Sequence, residues 1–347
     1  MSREGARGKN PMSDQPLLEV RDLRVTFGEG TSERAAVRGV SLTVREGQTV
    51  ALVGESGCGK SLTSLALLKL TPGGSHATAD VLRLDGNDIT ALDEDQMSAI
   101  RGKRIAMVFQ NPMSALNPVL TVGRQITEVL HRHMGLRGKA ARDRAVEMLE
   151  LVEMPDPASR VNQYPHQMSG GMQQRAMIAV ALSAGPDLLI ADEPTTALDV
   201  TLQAQVMDLL QRLQKELGMA VLLISHDLGV VAEVADEVNV MYAGRIAERA
   251  DARTLFREPA HPYTRALLQT VRDLESHDTV DLAPIPGAPP QLGQVIPGCS
   301  FAPRCPLVFD RCHVESPALR TVGPNHEAAC HVAEEVMSGN GSVDDRD

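Results

Sequence analysis

Residues 54–61 have the order G-x-x-x-x-G-K-[ST], a pattern that binds phosphate groups. The glycines let successive backbone N–H groups turn toward phosphate oxygens. We expect Lys60 to reach the β- and γ-phosphates and Ser61 to ligate Mg²⁺. Cys58 is interpreted as a small residue that the loop tolerates, and a redox role is the alternative. The predicted binding residues are Gly54, Glu55, Ser56, Gly57, Cys58, Gly59, Lys60 and Ser61.

Two carboxylates, Asp192 and Glu193, close the apolar run 188–191. Charged groups at the tip of a buried strand are costly unless something uses them. In a protein with a phosphate loop, we expect Asp192 to hold Mg²⁺ and Glu193 to polarise the attacking water. The alternative is that the pair caps the next helix, because acidic residues near a helix start are common.

Apolar runs and helical patterns alternate along the chain and must position these residues. The run before the phosphate loop, 49–53, is continuously apolar, as in buried parallel strands. The segments 17–27 and 39–47 alternate apolar and polar residues, as half-exposed antiparallel strands do. Further buried strands are predicted at 105–110, 187–193 and 220–227, and helices at 60–70, 121–134, 138–152, 169–184 and 201–217. This alternation predicts an α/β fold with a largely parallel sheet.

Four further motifs occur in an order that resembles the ABC ATPase family. Gln110 closes an apolar run like the family's Q-loop glutamine, and 168–175 (MSGGMQQR) resembles the signature LSGGQ-x-QR. Residues 197–199 match the D-loop, and 225–227 (SHD) match the segment of the switch histidine. The resemblance spans 27 to about 249. It implies a P-loop NTPase domain with a mixed sheet core, an antiparallel β subdomain and a helical subdomain.

The resemblance implies that the bound phosphates belong to ATP, which this site would hydrolyse. The implied catalytic residues are Glu193, His226 and Gln110. The implied Mg²⁺ ligands are Ser61, Gln110 and Asp192. Phe27 is implied to stack on adenine, and its alternative role is that of an apolar residue at a strand end.

In the family that this chain resembles, the signature closes over the nucleotide of a second subunit. The signature residues implied to act in trans are Ser169, Gly170, Gly171 and Gln173, with Asp199 in the D-loop. The signature departs from the consensus at two positions, where Met168 replaces Leu and Met172 replaces Gln. The first change is nearly isosteric, whereas the second removes an amide that could form hydrogen bonds.

Five segments, some of which include or flank the shared motifs, resemble the ATPases of oligopeptide, dipeptide and nickel importers. They are 107–118, 164–175, 257–271, 285–292 and 297–312. This resemblance implies an ATPase that powers import of short peptides. The implied partners are a second ATPase subunit, with a paralogue favoured over a copy, two permeases and an extracytoplasmic peptide-binding protein. Rival interpretations are a nickel or other small-solute importer, a soluble non-transport ABC ATPase, and a nucleotide-binding regulator without turnover.

Four cysteines near the C-terminus follow the spacing C-x5-C-x6-C-x17-C. They are Cys299, Cys305, Cys312 and Cys330. Four soft thiolate donors in a Pro-rich segment with few residues to form a hydrophobic core favour a bound metal that holds the segment together. The tight knuckles of zinc sites are missing, and Pro306 follows Cys305, so we favour a structural [4Fe–4S] cluster over Zn²⁺. Four independent reduced thiols are the remaining alternative.

The bulk composition bounds the class of protein. A chain of 347 residues with 43% hydrophobic residues holds one large domain, or one large and one small. The formal net charge of −11 argues against nucleic-acid partners. Because the sequence has neither a membrane-spanning run nor a secretory signal, we expect the chain to stay in the cytoplasm. The resemblance to importer ATPases implies a peripheral location on the cytoplasmic face of the membrane. The predicted division is a flexible tail 1–16, an ABC ATPase domain 17–255 with a helical insert at about 111–165, a small Cys/Pro-rich C-terminal extension 256–332 and a flexible tail 333–347.

Overall fold

The computed structural model describes residues 15–28, 30, 33–196, 199–275, 285–294 and 296–338. The expected N-terminal tail therefore lies outside the described residues except for Gln15 and Pro16. Two of the three expected D-loop residues, Ala197 and Leu198, lie outside them as well, as does 339–347 of the expected C-terminal tail.

Strands and helices alternate through most of the described chain. The strands are β1 Leu18–Phe27, β2 Arg34–Val44, β3 Thr49–Val53, β4 Ser75–Thr78, β5 Val81–Leu84, β6 Asn87–Asp88, β7 Ile105–Val108, β8 Leu188–Asp192, β9 Ala220–Ser225, β10 Glu237–Tyr242, β11 Arg245–Asp251, β12 Arg320–Gly323 and β13 His326–Ala328. The helices are α1 Lys60–Leu67, α2 Glu94–Ile100, α3 Pro112–Ala115, α4 Val122–Met134, α5 Gly138–Leu151, α6 Pro157–Arg160, α7 Gly170–Leu182, α8 Val200–Leu217, α9 Leu228–Val234, α10 Ala252–Arg257, α11 Pro262–Glu275, α12 Asp310–Val314 and α13 Ala333–Met337.

The larger sheet has eight strands in the order β12-β13-β11-β10-β3-β9-β8-β7. The five strands from β10 to β7 are parallel. Every residue of β3, β8 and β9 is buried, as expected for parallel strands covered on both faces. The predicted α/β fold and parallel core are thus confirmed. Because β3, β9 and β8 are neighbours, their carboxyl ends meet at one edge of the sheet.

The smaller sheet is antiparallel and lies N-terminal in the chain. Its order is β2-β1-β5-β6, with β4 also paired to β1. The pairing of β1 with β2 runs from Leu18 opposite Val44 to Phe27 opposite Arg34. The alternating pattern of 17–27 and 39–47 therefore predicted the right kind of strand. The apolar side of this sheet packs in the same core as residues of β3 and α1.

The segment 111–165 is fully described and contains helices and turns but no strand. Its amphipathic helix α4 buries Val122, Ile126 and Leu130, and α5 buries Met148 and Leu149. These side chains share one core with α7 and β8. The helical subdomain is therefore packed on the parallel sheet beside the strand that carries the two carboxylates.

The C-terminal extension differs from the appended domain that we expected. Strand β13 pairs with β11 through residues 248–250, so the larger sheet continues into the extension. Phe301 and Tyr263 belong to the main core. The expectation of a flexible tail from residue 333 also differs from the structure, because Ala333 and Val336 of α13 are buried. Short strands and short helices carry too little periodicity to be found from sequence.

Candidate active site

The phosphate loop connects β3 to α1 and requires glycine at several positions. Gly54 has a φ of 149°, and a Cβ there would lie 2.2 Å from the carbonyl oxygen of Met241. Gly57 and Gly59 have φ values of 80° and 108°. L-residues with side chains rarely adopt this region, so the sequence pattern reflects a backbone requirement. The loop presents the N-terminus of α1, where backbone N–H groups favour anions.

The side chain of Lys60 is folded over this loop. Its Nζ donates to the carbonyl oxygen of Gly54 at 2.7 Å and to that of Glu55 at 3.1 Å, and the residue is only 5% exposed. Cys58 is also buried, and burial raises the pKa of its thiol. A protonated, enclosed thiol is a poor nucleophile, which favours the interpretation of Cys58 as a small packing residue.

Ser61 and Asp192 come together although 131 residues separate them in the chain. The Ser61 hydroxyl donates to Asp192 Oδ1 at 3.0 Å. Asp192 ends β8 and is 5% exposed, and its burial raises the pKa of its carboxyl. Hydroxyl and carboxylate oxygens are ligands that Mg²⁺ prefers. A bound divalent cation would stabilise the ionised carboxylate, so the pair fits the predicted metal role.

Glu193 is held by three side chains. Its Oε2 accepts hydrogen bonds from Gln110 Nε2 at 2.8 Å and from the Thr196 hydroxyl at 2.9 Å, and it lies 3.3 Å from His226 Nδ1. The backbone of Glu193 is left-handed, with a φ of 47°, and its N–H donates to the carbonyl oxygen of Ile224. The structure thus brings together all three predicted catalytic side chains. Thr196 was not predicted, and only its position three residues after Glu193 could have suggested it.

The signature lies at the start of α7. Ser169 caps this helix, since its hydroxyl accepts the backbone N–H of Met172. Gly170 is exposed with no atom within 4 Å of a Cβ position, whereas a Cβ on Gly171 would lie 2.8 Å from the side chain of Leu202. Met168 is buried in the main core, as the near-isosteric replacement of Leu predicts.

The signature and the D-loop residue Asp199 share an open groove of about 510 Å³. The residues that line this groove are Glu153, Pro155, Ser169, Gly170, Gly171, Met172, Arg175, Asp199 and Leu202. No residue of the phosphate loop lines it. Within the described part of the chain, no hydrogen bond connects the signature with 54–61. The two halves of the expected site are therefore on separate surfaces of one chain.

Gln173 differs from the prediction for the signature. It is 6% exposed, and its Nε2 donates to the carbonyl oxygens of Pro165 at 2.9 Å and Met168 at 3.1 Å. The amide is thus used inside the chain, where the sequence interpretation had it facing a second subunit. Asp199 caps α8, because its Oδ1 accepts the N–H of Leu202 at 2.9 Å.

Phe27 ends β1 opposite Arg34 and Ser75 and is partly buried. This position agrees equally with an adenine-stacking ring and with an apolar strand end. The segment 261–264 packs the C-terminal extension, because His261, Tyr263 and Thr264 are all buried.

The four C-terminal cysteines lie in one neighbourhood of the extension. All four are reduced, and the backbone N–H of Cys299 donates to the carbonyl oxygen of Cys312 at 2.8 Å. Burial, with a smaller effect of the neighbouring thiols, raises the pKa of Cys305 to about 11 and that of Cys330 to about 12. Over the described residues, however, no three His, Cys, Asp or Glu side chains converge as a metal ion requires. The thiols are therefore close together without forming a ready coordination shell.

No helix in the described ranges is both long enough and apolar enough to span a membrane.

Comparisons with known proteins agree with this geometry. Residues 37–196 match the family described as ABC transporter, and residues 247–312 match the one described as oligopeptide/dipeptide transporter, C-terminal region. A probable peptide ABC transporter ATP-binding protein of Sinorhizobium fredii, y4tR, is 49% identical over 331 residues, which is 95% of this chain and 98% of that protein. The oligopeptide transport ATP-binding protein OppD of Bacillus subtilis is 49% identical over 312 residues, which is 89% of this chain and 87% of that protein.

Solved structures give the same answer for the fold. A dimeric structure of MJ0796, a bacterial ABC transporter cassette, has a TM-score of 0.61 and 31% identity, and the match covers 68% of this chain and 99% of that one. The region that matches the transporter C-terminal family, 247–312, follows the region 37–196 that matches the ABC transporter family. The chain belongs to the ATP-binding subunits of ABC transporters that carry the oligopeptide/dipeptide transporter C-terminal region.

Proposed function

We propose that this chain binds Mg–ATP on the phosphate loop and hydrolyses it to power import of short peptides. The observation that carries the proposal is the grouping around Glu193 of Gln110, Thr196 and His226, at the sheet edge where Ser61 meets Asp192. A positioned carboxylate beside a metal-binding pair is the arrangement that phosphoryl transfer to water requires.

Each residue has a distinct role in this proposal. The loop N–H groups and Lys60 bind the phosphates, and Ser61 and Asp192 would hold Mg²⁺, which supplies charge neutralisation when bound. Glu193 accepts the proton of the attacking water while the bond from the γ-phosphorus to ADP breaks. His226 and Gln110 keep the Glu193 carboxylate oriented through their contacts with Oε2. Phe27 is proposed to stack on adenine.

A second subunit completes the proposed site. Ser169, Gly170 and Gly171 are on a surface that shares no lining residue with the phosphate loop, so they are free to face a neighbour's nucleotide. The dimeric state of the solved cassette supports this view. We propose a paralogous ATPase as the neighbour, with two permeases and an extracytoplasmic peptide-binding protein completing the complex, and a peripheral location on the cytoplasmic face of the membrane. The relatives named for peptide transport support short peptides as cargo.

We propose further that the four cysteines hold a structural [4Fe–4S] cluster, with Zn²⁺ as the alternative. Four thiols in one neighbourhood form the donor set that soft metals prefer, and their long spacing does not suit the tight knuckles of zinc sites. Buried thiols with raised pKa values lose protons only when a cation compensates the charge. The support is chemical, because the thiols do not converge on a common centre.

Reconstitution of the full complex tests the transport proposal. Proteoliposomes would contain this chain, its partner ATPase and the permeases, together with the binding protein. We expect uptake of a radiolabelled short peptide that requires ATP and is abolished by Lys60→Ala in this chain. ATP-driven uptake of Ni²⁺ without peptide uptake would identify the rival cargo, and ATP hydrolysis that is indifferent to the permeases would contradict a transport role.

A further inference from the structure

The C-terminal extension contacts the phosphate loop directly. Arg304 Nη1 donates to Glu55 Oε2 at 2.6 Å, and Nη2 donates to Glu55 Oε1 at 2.9 Å. The hydroxyl of Tyr263 accepts the backbone N–H of Glu55 at 2.8 Å. Both the side chain and the backbone of Glu55, the one acidic residue of the loop, are therefore held by the extension. Two-point pairing of a guanidinium with a carboxylate fixes orientation as well as distance.

Arg304 is itself fixed in place. Its Nε donates to the carbonyl oxygen of Pro286 at 2.9 Å, and Nη2 donates to that of Ile285 at 3.2 Å. The side chain is 4% exposed and lies over the ring of Tyr242, with 5.9 Å from Cζ to the ring centre. A guanidinium buried this deeply needs its carboxylate partner. The position of Glu55 therefore depends on a side chain that cannot easily turn away.

An aromatic cluster packs next to this contact. The chain has only five Phe, three Tyr and no Trp, yet Tyr242, Tyr263 and Phe301 meet here. Their ring centres are 4.6 Å apart for Tyr242–Tyr263, 5.2 Å for Tyr242–Phe301 and 5.4 Å for Tyr263–Phe301. Aromatic rings in such tilted and edge contacts form a stiff packing unit. Tyr242 belongs to the ATPase domain and the other two to the extension, so the cluster joins the two parts.

We propose that Arg304 is a positioning residue of the ATP site, which acts through Glu55 to hold the phosphate loop in its nucleotide-binding conformation. The C-terminal extension then contributes to ATP affinity as well as packing on the ATPase domain. The proposal rests on the proposed function only in taking 54–61 as the ATP site. Hydrogen bonds from loop N–H groups to phosphates depend steeply on angle, so a loop released from Arg304 binds ATP less well.

The test uses full-length protein with Arg304→Gln, Glu55→Gln and the double substitution. Binding of a fluorescent ATP analogue to the full-length chain gives Kd, and steady-state phosphate release by the assembled complex gives KM and kcat. We expect each single substitution to raise Kd and KM about tenfold, as small displacements of positioning groups do, with a smaller change in kcat. In the double variant Kd rises no further, because both substitutions remove the same contact.

Arg320→Gln is the matched control, because it breaks another two-point pair of the C-terminal region, with Glu334, away from the loop. It should leave Kd unchanged. If Arg304→Gln lowers Tm while Kd stays as in wild type, Arg304 only packs the extension and the proposal is wrong. Should Arg304→Gln fail to fold, an unchanged Kd in Glu55→Gln overturns the proposal equally. If Lys60→Ala binds ATP as tightly as the wild type does, the proposed function is contradicted instead.

Discussion

At the scale of residues, the contacts of the predicted catalytic side chains meet at one carboxylate oxygen. Glu193 Oε2 receives two hydrogen bonds and lies beside His226, while the Glu193 backbone occupies the left-handed region. A non-glycine residue in that region is strained, and such strain is found where surrounding contacts fix a functional group. The neighbouring Asp192 has a different partner, since its Oδ1 accepts the Ser61 hydroxyl, and burial raises the pKa of its carboxyl. Two adjacent acids thus have different environments, which suits one to a metal and the other to water.

Glu193→Gln should abolish most turnover and leave ATP binding intact. Glutamine keeps the shape of the side chain but cannot accept the proton of the attacking water, so we expect kcat to fall about 10²- to 10⁴-fold. Phosphate release measures the loss, and equilibrium binding of ATP measures what is kept. Glu216→Gln, which changes an exposed acid on α8, is the control and should have wild-type kcat. Near-normal turnover in the Glu193 variant would show that another group is the base.

At the scale of elements, the start of α11 depends on a neutral histidine. His261 Nδ1 accepts the backbone N–H of Tyr263 at 3.0 Å, and the backbone N–H of His261 donates to Glu248. Burial lowers the pKa of His261 to about 4, against an opposing effect of Glu248. The folded protein therefore excludes a proton that the unfolded chain accepts near pH 6.5.

Acid should consequently weaken the fold through His261. Its contribution is fully present above about pH 6.5 and is lost as pH falls toward 4, by up to about 3 kcal/mol of unfolding free energy. Denaturant unfolding at several pH values measures this slope. In His261→Asn, the Asn oxygen can still accept the Tyr263 N–H but does not titrate. The free energy of unfolding of this variant should therefore be lower at neutral pH and change less with pH than that of the wild type. The exposed His313→Asn should keep the wild-type slope, and an unchanged slope in His261→Asn would exclude His261 as its source.

The signature helix offers a second comparison at this scale. A methyl group at Gly170 meets nothing within 4 Å, whereas one at Gly171 lies 2.8 Å from Leu202. Gly170→Ala should therefore keep Tm within about 1 °C of wild type yet reduce turnover of the assembled complex, because the methyl group faces the neighbour's nucleotide. Gly171→Ala should lower Tm as well. Thermal unfolding and phosphate release of the complex distinguish the two, and full turnover with Gly170→Ala would contradict an action in trans.

At the scale of the whole molecule, one sheet runs from the helical subdomain into the C-terminal extension. Strand β7 forms one edge and β12 the other, so the extension is a continuation of the ATPase core. The Arg304–Glu55 pair and the aromatic cluster lie where the extension contacts the ATPase domain. A disturbance of the extension is therefore expected to reach the phosphate loop.

Metal analysis tests the cluster proposed for the C-terminal extension. Anaerobically purified full-length protein should contain about four iron and four sulfide per chain if the cysteines hold a [4Fe–4S] cluster. Metal binding must release protons from thiols whose pKa values reach about 11 and 12 for Cys305 and Cys330, so affinity should rise with pH. Cys58→Ser, outside the group, is the control and should leave iron content unchanged. One zinc per chain, or no metal, would reject the cluster.

The α/β class, the antiparallel N-terminal strands, the helical insert and the phosphate loop could be predicted from the sequence, because each depends on local periodicity or on short-range spacing. Glycines at 54, 57 and 59, a carboxylate pair after an apolar run and a switch histidine are features that the order of residues makes visible. Their meeting at one edge followed from parallel strands, whose carboxyl ends lie together.

The contacts between groups distant in the chain could be seen only in the folded structure. Arg304 reaches Glu55 across 249 residues of chain, and Gln110 reaches Glu193 across 83. Gln173 turned inward, although a local motif suggested otherwise. Strand β13 joined the main sheet through backbone hydrogen bonds, which do not require particular residue types and so leave no signal in the sequence. The Arg304–Glu55 contact and the pairing of β13 depend on packing between segments far apart in sequence, and no periodicity within either segment encodes them.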